Sequence, residues 1–137
     1  MRDHQLPVDP FRLIAVTSLL AAALAHVPVT PEHLREAPYM GVAFIAFSVV
    51  ATVLAVGIAT TNRPALYGAT MGLCAAAIGI YAMTRMVAFP QLSDDVGNWS
   101  ETLGVISVAT EMIALVASGL AVVGRQGPMY VGALADA

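Results

Sequence analysis

Long apolar runs separated by short clusters of charge, proline and asparagine organise this chain, and the charges stand between the runs instead of alternating with them. A helix that crosses a bilayer needs about 20 apolar residues, because each residue rises about 1.5 Å through a hydrocarbon core about 30 Å thick. Three runs meet this directly: Tyr39 to Thr60, Pro64 to Thr84 with a continuation to Phe89, and Thr102 to Gly124, which only Glu111 interrupts. A shorter run, Leu13 to Val27, is extended at one end by Phe11 and a snorkelling Arg12. The pattern predicts an all-α fold, a membrane-spanning antiparallel four-helix bundle with short loops. It forms a single domain over residues 1–137, with spans at about 11–27, 39–60, 64–89 and 100–124.

The punctuation between runs has physical causes. Asn62-Arg63-Pro64 predicts a tight connection, since the first turn of a helix has no intrahelical use for the N–H that proline lacks. Phe89-Pro90 is expected to end the third span. Asn98-Trp99-Ser100-Glu101 reads as a capping box, with Asn98 accepting from backbone N–H groups, Glu101 reaching back and Trp99 at the interface. Thr30-Pro31 starts a short helical turn, Pro31 to Glu36, that must end before Pro38.

Composition strengthens the membrane reading. Hydrophobic residues make up 58% of the chain and charged ones 11%, with a mean hydropathy of +0.79; a soluble domain carries about 25% charged residues. A net charge of −3 and no run of lysine or arginine exclude a nucleic-acid partner. The single cysteine, Cys74, lies inside an apolar run and is expected to pack there.

Cations set the orientation. Arg2 and Arg12 precede the first span, Arg63 joins the second and third, and Arg125 follows the fourth, whereas the opposite loops hold Arg35 and the acids Glu32, Glu36, Asp94 and Asp95. The positive-inside rule then puts both termini in the cytoplasm of a plasma (inner) membrane protein and makes the outer face acidic. A rival reading takes Arg2, the stretch from Leu13 and Ala23-Leu24-Ala25 as a secretory signal peptide cut before His26. Against it stand Asp3, Asp9 and Pro10, and the unpartnered odd helix that removal leaves.

Small residues allow close backbone approach in lipid. Gly68, Gly72 and Ala76, with Ala75 and Gly79 beside them, predict that the third span is the central packing helix. On the fourth, Gly104, Ser107, Glu111, Ala114, Ser118 and Ala121 share a face, which turns Glu111 inward.

Glu111 is the sharpest candidate for chemistry. It lies roughly 15 Å into its helix, near the midplane. Its insertion costs about 2.5–3.5 kcal/mol, against about −3 to −6 kcal/mol from the ten Leu, Ile and Val residues around it. An intramembrane acid is either a functional group or a hydrogen bond that locks helices together. Arg85, on a face with Tyr81, is the partner to test, or else it snorkels to the outer interface; the heights of Arg85 and Glu111 differ by roughly 9–12 Å. His26, His33, Glu36 and Glu32 form a candidate site for a transition metal on the outer side, with His33 and Glu36 at i, i+3 and Asp94 or Asp95 approaching from the other loop. The alternative is a solvated helix face. Tyr81, Ser107, Asp94 and Asp95 are candidates to line such a site. His4 has no visible partner, and Met83, Met86 and Met112 are soft copper(I) ligands or ordinary core. No nucleophile elbow, P-loop, dinucleotide glycine pattern or HExxH is present.

The string from His26 to Tyr39, together with Arg85, the stretch from Asn98 to Gly104 and Glu111, is similar to small four-helix actinobacterial integral membrane proteins of uncharacterised function. The resemblance spans most of the chain and implies a membrane location and a four-helix topology. Small multidrug resistance transporters offer a contrast, because their membrane-embedded glutamate lies in the first helix and here the acid lies in the fourth. The expectation is a non-enzymatic binding or accessory subunit in contact with the lipid bilayer, as a homo-oligomer or within a larger membrane complex. A proton-coupled small-solute transporter using Glu111 and a membrane enzyme using the outer histidines are the alternatives.

Overall fold

A computed structural model describes residues 9–135, with side chains described through Arg125; Arg2, Asp3 and His4 lie outside the described residues. The described chain is all-helical: α1 (Pro10–His26), α2 (Thr30–Glu36), α3 (Pro38–Thr61), α4 (Pro64–Met86), a single 3-10 turn (Ser93–Asp95) and α5 (Thr102–Ala135). Proline opens α1, α3 and α4, where its missing N–H costs nothing. At the start of α1 the Asp9 carboxylate accepts from the Phe11 N–H at 3.0 Å.

Three helices, Pro38–Thr61, Pro64–Met86 and Thr102–Arg125, are long and apolar enough to cross a membrane, and α1 with α2 makes a fourth if that pair, bent by 46°, is one broken span. Only 17% of the apolar window of α4 and 33% of that of α5 is buried inside the protein. The remaining apolar surface faces outward, with Val49, Val53 and Val56 on α3 and Ile113, Val116 and Leu120 on α5 exposed. Such a continuous apolar exterior matches lipid, not water.

The core is thin and made largely of alanine. Leu19, Ala22 and Ala23 from α1 meet Phe47, Ala51 and Leu54 from α3, with Cys74 and Ala114 closing the cluster from α4 and α5. Beneath it Ala15, Ile58, Tyr67, Ala117 and Ala121 pack together. Cys74 is fully buried. Small side chains bring the backbones close, which is how helices associate where no hydrophobic force separates them from solvent.

The connections explain the bends. The Thr30 hydroxyl donates to the His26 carbonyl at 2.7 Å, occupying an acceptor that α1 leaves free at its end. Then α2 folds back onto α3 so closely that a Cβ on Gly41 would sit 2.7 Å from the Leu34 backbone nitrogen. Asn62, left-handed at φ 52°, turns the chain between α3 and α4 and brings Leu66 against Gly57. Arg12 Nε donates to the Ile58 carbonyl at 3.2 Å and Arg125 Nη1 to the Asn62 carbonyl at 2.8 Å, while Arg12 Nη2 bonds Ala59 O and Arg125 Nη2 bonds Asn62 Oδ1. Two guanidiniums thus cap the negative end of α3, so Arg12 does more than snorkel.

Four expectations need correction. The third span ends at Met86, not at Phe89: Val87 is already extended, and Phe89 pairs with Leu92 in a turn around Pro90. Asn98 does not cap α5. Glu101 is itself the cap, its two carboxylate oxygens accepting from the N–H groups of Leu103 at 3.0 Å and Gly104 at 2.7 Å. The helix starts at Thr102, its candidate span ends at Arg125, beside the expected end at Gly124, and its backbone continues to Ala135. The ridge of Gly68, Gly72 and Ala76 on α4, with Ala75 and Gly79 beside it, is also not a packing seam, since a Cβ at Gly68, Gly72 or Gly79 would meet nothing within 4 Å and Ala75 and Ala76 are exposed. Nor is α4 the central helix: α1 packs against both α3 and α5, and α5 against both α1 and α4. The small residues of α5, Ser107, Ala114, Ser118 and Ala121, are the buried ones.

Candidate functional site

A cavity of about 570 Å³ occupies the end of the molecule formed by α2, the 87–101 connection and the first turns of α5. Its rim carries Glu32 and Glu36 from α2, Asp94 and Asp95 from the 3-10 turn, and Glu101. Its floor is Glu111, with Ser107 one turn above it and His26 opposite. Between rim and floor the walls are apolar, with Phe44 and Phe47 on α3 facing Leu73, Ala77 and Ile80 on α4.

The floor follows from how α1 and α5 pack. Ser107 and Glu111 are four apart, so they stack on the buried face of α5, and the Ser107 hydroxyl donates to Glu111 Oε1 at 2.9 Å. His26 is the last residue of α1, and its ring turns back so that Nδ1 lies 2.8 Å from the Ala22 carbonyl. A carbonyl only accepts, so Nδ1 carries the proton, and in the neutral ring Nε2 keeps its lone pair. Nε2 is 3.9 Å from Glu111 Oε1. Phe47 lies against the imidazole with ring centroids 4.5 Å apart and Phe44 meets it edge-on at 4.9 Å. Glu111 is 2% exposed. One proton can therefore sit on the acid or on the imidazole without changing the net charge of the pair, and a second polar group brought into the cavity can exchange with it.

Arg85 belongs to the rim. It is 6% exposed, pairs with Asp95 at 2.5 Å and approaches Glu101 at 3.9 Å, so its charge is spent on the loop and on the cap of α5 and not on Glu111. Its guanidinium stacks 4.6 Å from the Tyr81 ring centroid, and the Tyr81 hydroxyl donates to the Trp99 carbonyl at 3.2 Å. The Arg85 carbonyl also accepts from the Gly97 N–H at 2.9 Å. One residue thus fastens the 87–101 connection to the end of α4, which explains an arginine buried at this depth better than snorkelling does.

The four residues of the candidate metal site all line the cavity, yet they do not converge. Among the described residues no group of three or more His, Cys, Asp or Glu side chains is placed to hold a metal ion. His33 Nδ1 lies 2.9 Å from the Val29 carbonyl, four residues back as Ala22 is from His26, and its ring meets Phe44 edge-on at 4.8 Å. Phe44 is inserted between the two imidazoles. Met83, Met86 and Met112 are exposed on outer helix faces and gather around nothing.

Sequence reasoning passed over the aromatic wall and the rim position of Glu101. Phe44 and Phe47 are three apart and so share a helix face, a spacing that the sequence carries without showing what that face meets. Gln91, with a positive φ of 64°, also lines the rim. Comparisons of the chain with known protein families, with curated proteins and with solved structures find no match.

Proposed function

We propose that this is a plasma-membrane (inner-membrane) protein of four antiparallel spans, with α1 and α2 as one broken span and both termini cytoplasmic. It acts as a small non-enzymatic binding or accessory subunit whose site opens to the outer side. Arg12, Arg63 and Arg125 lie at the end of the bundle that carries the Asn62 turn, the acids Glu32, Glu36, Asp94 and Asp95 at the other, and the positive-inside rule orients the bundle accordingly. The likeness of the His26–Tyr39 string to small four-helix actinobacterial membrane proteins agrees with this topology. The observation that carries the reading is the cavity itself, which leads from an acidic rim to two buried titratable groups, Glu111 and His26, 3.9 Å apart.

Two features favour binding over the alternatives. The Ser107 hydroxyl donates to Glu111, and the imidazole nitrogen 3.5 Å from it, Nδ1, is already a donor to Ala22, so among the described residues the hydroxyl has no histidine base of the kind a serine–histidine nucleophile uses. Below Glu111 the path is filled by Ala114, Ala117 and Tyr67, and the arginine caps on α3 tie that end shut, which suits a site open on one side more than a carrier.

Cysteine accessibility tests the proposal. In a Cys74→Ala background, Ser107→Cys is expected to react in intact cells with the membrane-impermeant cation 2-(trimethylammonium)ethyl methanethiosulfonate, whereas Ala117→Cys stays unmodified. A Ser107→Cys thiol that reacts only from the cytoplasmic side, or not at all, removes the reading.

A further inference from the structure

The cavity also borders the gap between α3 and α4, where Ala43, Ala46 and Val50 on α3 and Ala76 and Ile80 on α4 line it and are exposed. The reason is the way the two helices separate. They touch at the Asn62 turn, where Leu66 meets Gly57, and α3 packs far more closely on α1 and α2 than on α4. In a bilayer this slot faces acyl chains, so the apolar wall of the cavity is continuous with lipid while its floor and rim are polar.

Charge selects what fits. Six carboxylates line the cavity, namely Glu32, Glu36, Asp94, Asp95, Glu101 and Glu111, and Arg85 is the single Arg or Lys among its lining residues. That guanidinium is paired with Asp95 and approaches Glu101, and its Nε alone lacks a partner. An anionic head group therefore meets one cation that is already ion-paired and several acids. A cation finds Glu111 at the floor, two acids of α2 at the rim, and the faces of Phe44 and Phe47, which attract positive charge.

Resting on the reading of the cavity as a binding site, the geometry points to a membrane-dissolved amphipathic amine as its ligand, entering through the slot between α3 and α4, with its ammonium against Glu111 and its alkyl body along the apolar wall. The slot lets the alkyl part stay in an apolar phase throughout, so only the head group exchanges its surroundings. The acid at the floor supplies the counter-charge that a buried ammonium requires. When the ammonium arrives Glu111 gives up its proton, through His26 Nε2 at 3.9 Å and out to water at the rim, and when the ammonium leaves Glu111 regains a proton by the same route.

The test uses the full chain in lipid nanodiscs, with radiolabelled n-decylamine, n-decanol and decanoate as probes and empty nanodiscs as the blank. Saturable retention of decylamine, at least about tenfold tighter than decanol or decanoate, is expected, and Glu111→Gln lowers decylamine affinity by about tenfold while leaving decanol unchanged. Glutamine conserves volume and still accepts from Ser107, so the variant keeps the floor intact. Equal retention of decanol and decylamine, or tighter retention of decanoate, overturns the amine assignment. If no probe is retained while Ser107→Cys is still labelled from outside, the amphiphile inference falls and the outward-opening cavity stands; if that labelling fails too, both fall. A disulfide-linked Ala76→Cys dimer in the Cys74→Ala background that retains no decylamine assigns the slot to a second copy of the chain and also overturns the inference.

Discussion

Replacing Arg85 by methionine should loosen the whole rim of the cavity. The guanidinium is 6% exposed and makes its closest contact, 2.5 Å, with an Asp95 carboxylate whose side chain is 24% exposed. Removing one partner of a fully buried pair costs about 3–5 kcal/mol, because the other charge is left stranded. Here Asp95 can rehydrate in part, which lowers that figure. The stacking on Tyr81 adds about 1 kcal/mol, and the 3.9 Å approach to the more exposed Glu101 adds less than about 1 kcal/mol. The net expectation for Arg85→Met is about 3 kcal/mol, read by equilibrium unfolding in mixed micelles of dodecylmaltoside and SDS. Stability alone does not separate the ion pair from lost packing, so the decisive measurement is a double-mutant cycle with Asp95→Asn. If the pair fastens the 87–101 connection to α4, the double variant is less destabilised than the sum of the singles by about 1.5 kcal/mol. Additivity within about 0.5 kcal/mol refutes the assignment, and so does an Arg85→Met variant as stable as the parent.

Three further outcomes follow from the packing. Gly41→Ala places a Cβ 2.7 Å from the Leu34 backbone, so α2 must shift at a cost of about 1–3 kcal/mol, whereas Gly72→Ala meets nothing within 4 Å and should fall within about 0.5 kcal/mol of the parent; both are read by the same unfolding assay. Asn62→Gly keeps the left-handed turn but removes the Oδ1 that accepts from Tyr67 at 2.7 Å and from Arg125, so a loss of about 1–2 kcal/mol is expected, and an unchanged unfolding midpoint argues against that latch. Because Leu19, Ala22 and Ala23 sit in the central cluster, the purified protein should retain the residues before His26, and an N-terminus at His26 on sequencing revives the signal-peptide reading.

Much of this protein is legible in the order of its residues. The apolar run length is a direct consequence of bilayer thickness, so the three long helices of the structure lie where the runs do. Proline and Asn62 act through their own backbone geometry, so the breaks beside Pro38 and Pro64 are visible without any neighbour. The inward turn of Glu111 is equally local, because the 3.6-residue period puts it on one face with Ser107, Ala114 and Ser118. What lies across from that face is not local. Which small-residue ridge becomes a seam depends on the partner available, so that of α5 is buried while the glycines of α4 face outward. Glu101, and not Asn98, caps α5 because Asn98 and Trp99 are held in turns by Asp95 and Gly97 and the helix starts only at Thr102. Only the tertiary arrangement brings His26 to Glu111 across 85 positions of sequence, joins Arg85 to Asp95 and parts α3 from α4 above their common turn. Spacing along a chain reports which side chains share a face, and contact between faces is a property of the folded packing alone.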